Sequence, residues 1–240
     1  MKRLRDYTNA RVGLGSVGHS LPTAALLDLN LDHARARDAV HRELGALPIA
    51  GAIEVHSAAR DRAEYLRRPD LGRRLNEASQ GKLIHGEYDA AIVIADGLSA
   101  LAVERYAERT LTALEPYLRE WSLAPIVIAR QARVALGDEI GFRLGARMMV
   151  ILIGERPGLS SPDSLGAYLT YDPRESRTDA ERNCISNIRD EGLKPEQAAY
   201  KLWFLMSEAR TRKLSGIVLK EDAPAGLIGD WGTRSGSKRE

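Results

Sequence analysis

Three short apolar runs constrain this chain more than any other feature: AAIVIA at 90–95, PIVIAR at 125–130 and RMMVILI at 147–153. Unbroken runs of branched-chain and small residues at this length read as strands buried on both faces, because a half-exposed strand would alternate. Helical segments separate them. The first runs from Ser99 to Arg119, with Leu101, Tyr106, Leu111 and Leu114 facing a core, and a shorter one runs roughly from Gly137 to Gly145. The order βαβαβ predicts an α/β fold, a Rossmann-like parallel sheet with right-handed crossovers flanked by helices.

Outside this centre the pattern changes. From Thr23 to Leu44, Leu27, Leu31, Ala34 and Val40 recur near helical spacing, with Pro22 before and Gly45 after as start and stop signals. A second helical stretch, Asp61 to Gln80, is broken near Pro69 and crowded with arginine. Residues 1–80 therefore read as a helical N-terminal region, and 81–220 as the α/β domain. Within the latter, Ala167–Tyr171 is a fourth possible strand, and a helix is expected from Pro195, the favoured first helical position, to about Leu214. The tail at 221–240, with Pro224, Gly226, Gly229, Gly232 and a polar end, is expected to be disordered.

Composition narrows the partners. Thirty-five basic against 33 acidic residues leave a formal charge of +2, so no whole-chain field argues for nucleic acid or an anionic membrane. Cys184 is the one cysteine, which excludes an intrachain disulfide and makes the cytoplasm the expected compartment. The longest apolar run is far too short to span a bilayer.

In open parallel sheets, ligands bind outside the carboxyl ends of the strands. Here those ends run into Asp96-Gly97-Leu98-Ser99, Gln131-Ala132-Arg133-Val134 and Gly154-Glu155-Arg156-Pro157-Gly158, which would set Asp96, Arg133, Glu155 and Arg156 on one rim. A plainer alternative has Asp96 capping the next helix and Glu155 paired with a neighbouring arginine. Cys184, in RNCISNI, reads from composition as a small packed residue rather than a nucleophile, since no histidine lies near it in sequence.

Other motifs fail their context. GLGSVG at 13–18 matches a dinucleotide-binding pattern, but no strand precedes it, so it reads as a flexible loop. His19, His33, His41, His56 and His85 lack metal-ligand spacing, so no metal site is expected. Nucleophile-elbow and phosphate-loop motifs are missing. The arginines between 60 and 74 are interrupted by Asp61, Glu64 and Asp70, and suit a solvated face or subunit interface.

From about Thr8 to Leu219 the chain resembles the small, or light, subunit of ethanolamine ammonia-lyase. ARVGLG, SLPT, LDHARARDAV from Leu31, RPDLGRRL from Arg68 and IADGLSALAVE from Ile94 carry the resemblance, most specifically with VILIGERPGLSSPDSLGAY from Val150 and AERNCISNIRDEGL from Ala180. It implies adenosylcobalamin as cofactor, shared with a TIM-barrel large subunit that carries the catalytic side chains and turns ethanolamine into acetaldehyde and ammonia by radical chemistry. The helical region at 1–80 would contact that large subunit, in a higher hetero-oligomer. The family's cobalamin contacts fall on Val134, Glu155 and Cys184, with no catalytic residue in this chain. The chain lacks the long N-terminal extension of some members, which weighs against packaging in a bacterial microcompartment. Two alternatives stand beside this reading: a self-contained Rossmann-like coenzyme-binding enzyme, and a non-enzymatic interaction subunit using its arginine-rich face.

Overall fold

The fold is a six-stranded sheet with helices on both faces, seen in a computed structural model that describes Gly18 and residues 20–220. Most of the GLGSVG loop and the whole 221–240 tail lie outside the described residues. In chain order the elements are α1 (Thr23–His41), β1 (Ile53–His56), α2 (Arg62–Arg67), α3 (Glu77–Gln80), β2 (Tyr88–Ala95), α4 (Ala100–Leu114), β3 (Val127–Arg130), α5 (Val134–Leu144), β4 (Ala146–Gly154), β5 (Leu165–Tyr171), β6 (Arg182–Ile188) and α6 (Pro195–Arg212). The sheet order is β1-β3-β2-β4-β5-β6.

The three apolar runs are the sheet's centre. On β2, Ala90, Ile92 and Ile94 face the core under α4 and α6, while Ala91, Val93 and Ala95 face the core under α5. β4 divides the same way, with Met148, Val150 and Leu152 on one side and Met149, Ile151 and Ile153 on the other. Two helical layers thus account for the missing alternation. Local signals set the helix ends. The Ser99 side chain accepts from the Ala102 N–H at the start of α4. Gly145, at φ 74°, turns the chain out of α5 through a conformation that suits a residue without Cβ.

Two expectations need correction, and two further features were not anticipated. The sheet is mixed rather than parallel: β1, β3, β2 and β4 run parallel, but β5 is antiparallel to β4 and β6 antiparallel to β5. A connection without a helix, residues 155–164, lets the chain return beside β4 as a hairpin. The region read as helical contains β1, which pairs with β3 from Ile53↔Val127 to His56↔Arg130. RNCISNI is a strand, β6, at the opposite edge. Lastly, Leu27 and Leu31 on α1 do not face a core. They are 62% and 49% exposed, and Ala39 is the buried residue of that helix. Among the described residues, α1 is tied to the body near its C-terminal end, where the Val40 carbonyl accepts from Arg62 and Arg42 pairs with Glu104. No helix among the described residues is long and apolar enough to cross a membrane.

Candidate functional site

β3, β2 and β4 are adjacent and in register, with Ala129 and Ile153 both level with Ala95, so their carboxyl ends form one rim. The rim is built around Asp96, which turns inward instead of presenting to solvent. Its carboxylate is almost wholly buried and accepts from the Gln131 N–H (2.9 Å), the Ala132 N–H (3.1 Å) and the Arg62 guanidinium (3.3 Å). Burial pushes its carboxyl above the usual aspartate value, and Arg62 with the two amides opposes that shift. Asp96 does not cap α4, since Ser99 does. What it does is hold the 131–133 turn, in which Gln131 takes the left-handed backbone at φ 55°.

That turn brings Arg133 and Val134 to the rim. Tyr65 of α2 packs beneath it and donates from its hydroxyl to the Ala132 carbonyl at 2.8 Å. The Arg133 guanidinium carbon lies 4.5 Å from the centre of the Tyr65 ring, and that of Arg62 lies 4.9 Å away. Val134, the first residue of α5, is partly buried with its side chain against the core under that helix.

Glu155 follows β4 directly. Among the described residues it pairs with no arginine. Its carboxylate accepts from the Ser186 hydroxyl at 2.6 Å, from the Ser164 hydroxyl, and from the Asn187 N–H at 3.3 Å. A charged side chain at a strand end is thereby tied to the start of β5 and to β6. Gly166 makes room for it, because a Cβ there would stand 2.9 Å from Oε1.

Cys184 is exposed on β6, directly across from Tyr168 on β5. Helix α5 packs mainly on β2 and β4 and reaches the antiparallel half through Asp138, which pairs with Arg182 of β6, so among the described residues the part of this face around Tyr168 and Cys184 has no helix over it. The uncovered face is a groove. A cavity of about 820 Å³ is lined by Arg73, Val134, Tyr168, Thr178, Arg182 and Cys184 among others. An adjoining one of about 440 Å³ is lined by Tyr65, Leu98, Arg133, Gly154, Glu155 and Arg156 among others. Arg133, Val134 and Tyr168 border both. The three residues singled out from sequence, Val134, Glu155 and Cys184, thus border one continuous depression. Asp96 is not on its surface, whereas Arg133 and Arg156 are.

The groove walls crowd the Cys184 sulfur, and desolvation pushes the thiol above its ordinary value. The Glu155 charge acts in the same direction, while a hydrogen bond with Tyr168 opposes it. Burial also pushes the Tyr168 phenol up. Sequence reasoning missed Tyr65, Tyr168 and Arg182. For Tyr168 a partial signal existed: in LGAYLTY the residues Gly166, Tyr168 and Thr170 share one face by alternation, and Tyr168 is the partly exposed one of the three.

Comparison with known proteins gives these residues a context. The family model described as ethanolamine ammonia-lyase light chain (EutC) matches residues 1–220. A protein of Xanthomonas campestris pv. campestris named ethanolamine ammonia-lyase small subunit is 52% identical, over 95% of this chain and 89% of its own length. Proteins of the same name from Pseudomonas fluorescens and Pseudomonas aeruginosa are each 52% identical, covering 92% and 98% of this chain and 86% and 92% of their own lengths. With a match of this extent running through both walls of the groove, the chain belongs to the ethanolamine ammonia-lyase light-chain family.

Proposed function

We propose that this chain is the small subunit of an adenosylcobalamin-dependent ethanolamine ammonia-lyase and that the groove beside α5 forms one wall of the coenzyme site. The observation that carries the reading is that Val134, Glu155 and Cys184, far apart in sequence, border one depression. The larger cavity alone reaches the upper part of the roughly 300–1,000 Å³ range of small-molecule sites.

The residues suit an amide-fringed, partly apolar coenzyme. Val134 offers apolar contact and Cys184 a small polarizable surface. Glu155 has about four lone-pair sites and gives three of them to internal donors, which leaves one for a ligand donor. The Arg133 Nε is buried at the shared border without a hydrogen-bond partner among the described residues, a donor awaiting an acceptor. When bound, adenosylcobalamin supplies the organic radical that initiates the reaction. This chain's share is to bind and orient the coenzyme and to exclude water from one side of it.

The catalytic side chains and the substrate pocket belong, in this reading, to a TIM-barrel large subunit. The exposed leucines of α1 and the helical region around it provide contact with that partner, and the complex works in the cytoplasm. The test is to express the large subunit with and without this chain and measure adenosylcobalamin-dependent acetaldehyde release from ethanolamine. Release is expected only when both are present, and full activity of the large chain alone would overturn the proposal.

A further inference from the structure

One feature of the groove lies beneath its surface. Asp138 stands one helical turn after Val134, on the same face of α5, and Arg182 stands two residues before Cys184, on the same face of β6. Their side chains are 2% and 4% exposed and form an ion pair in which both Nη2 and Nε of Arg182 donate to Asp138 Oδ2, the latter at 3.1 Å. Among the described residues no other hydrogen bond joins α5 to β6. The same guanidinium donates to Asp179 Oδ1 and to the Arg177 carbonyl, each at 2.7 Å, and so also fixes the turn that forms the outer lip of the larger cavity.

We infer that the Asp138–Arg182 pair is a positioning device that sets the spacing between the Val134 wall and the Cys184 wall of the groove, an inference that rests on the coenzyme-site reading above. A stability role explains the pair poorly. Burying two charges costs about as much as their attraction returns, and apolar pairs of similar volume often replace such bridges without loss. Asp138 Oδ1 makes no hydrogen bond that meets strict geometry among the described residues, although the Thr170 hydroxyl of β5 acts on the same carboxylate. What an apolar replacement does not reproduce is direction: a planar guanidinium bridging one carboxylate and one loop fixes an angle and a distance. Asp138 does not line the cavity, and Arg182, which borders it, leaves only 4% of its side chain exposed. They act through Val134, Cys184 and the lip.

The test uses the complex with the large subunit and two readouts besides activity: hydroxocobalamin affinity from an absorbance titration, and the alkylation rate of Cys184, the one thiol of this chain. The double variant Asp138→Leu/Arg182→Met is expected to assemble with an unchanged unfolding midpoint, to bind hydroxocobalamin about tenfold more weakly, and to show Cys184 alkylation faster by about threefold or more. Unchanged affinity and unchanged alkylation would overturn the inference. If the double variant does not assemble, Arg182→Lys decides. It keeps the charge but loses the fork, so a weakened affinity in an intact complex supports positioning, and wild-type behaviour in both readouts overturns it. A Val134→Trp control separates the two proposals, because it fills the groove mouth. Unaltered hydroxocobalamin affinity in that control would defeat the coenzyme-site reading, and the pair would then be judged on alkylation alone.

Discussion

Glu155 at the end of β4 accepts a hydrogen bond from the Ser186 hydroxyl on β6 at 2.6 Å, a bond that spans β5 and closes the rim over the start of that strand. The carboxylate therefore has a structural task alongside any ligand it meets. Glu155→Ala removes the acceptor for two hydroxyls and one backbone N–H. It should lower stability by about 1–3 kcal/mol in a urea titration and weaken cobalamin retention by the complex, with assembly preserved. Glu155→Gln keeps one oxygen and should lose less of both. Equal cobalamin affinity in wild type and Glu155→Ala would remove this residue from the site.

Asp96 predicts a large loss. Asp96→Ala leaves two buried backbone amides without an acceptor and the Arg62 guanidinium without its carboxylate, a change of about 3–5 kcal/mol. The denaturation midpoint of the full chain reads this directly. Asp96→Asn, which retains an oxygen facing the amides, should cost less. A midpoint unchanged in Asp96→Ala would mean that the 131–133 turn does not depend on this hub.

Cys184 gives a pH-dependent readout. Desolvation raises its thiol pKa, so at any given pH less thiolate is present than for a free cysteine, and the thiolate is the reacting species. Alkylation by iodoacetamide should climb close to tenfold per pH unit through the ordinary thiol value of about 8.5 and level off only above it. Mass spectrometry of the peptide follows the rate. A plateau already reached at neutral pH would show a thiol depressed rather than raised.

The loop after β2 passes β4 with no space for a side chain. A Cβ on Gly97, which sits at φ 55°, would meet the Gly154 carbonyl at 2.2 Å, and one on Gly154 would meet the Ser99 carbonyl at 2.1 Å. Gly97→Ala and Gly154→Ala should each destabilise by about 2–3 kcal/mol or prevent folding. A thermal midpoint equal to wild type in either would contradict the close approach.

The leucines of α1 predict the opposite behaviour. Leu27 and Leu31 are exposed, so replacing both with serine should leave the stability of the isolated chain within roughly 0.5 kcal/mol while reducing co-purification with the large subunit. Undiminished co-purification would place the subunit contact elsewhere.

The parts of the fold legible in sequence were those where burial leaves a one-sided record. β2, β3 and β4 were readable because both faces are covered, and α4 because Tyr106, Leu111 and Leu114 all point at one core. β1 and β6 escaped because they are edge strands whose polar residues have work to do. Glu54 pairs with Arg130, and Arg182, Cys184 and Ser186 face the groove side. The parallel reading went too far at β5, whose direction depends on the length of the preceding loop and not on its own residues. In the site, Glu155 and Val134 were marked by strand-end position, whereas Cys184 had no such mark: its place in the groove depends on β5 and β6 pairing Tyr168 with it. α1 was legible as a helix, but an apolar stripe states that a helix has a partner without stating whether the partner belongs to the same chain.

The reversal of direction at β5 also sets an order of events. Synthesis proceeds from the N-terminus, and the parallel part of the sheet, with α5, is complete once β4 has emerged. The groove is not, since its far wall is the last strand to join. Any chain truncated ahead of β6 would carry Val134 and Glu155 with no wall opposite them, and would also lack α6, which completes the core over the other face of the sheet.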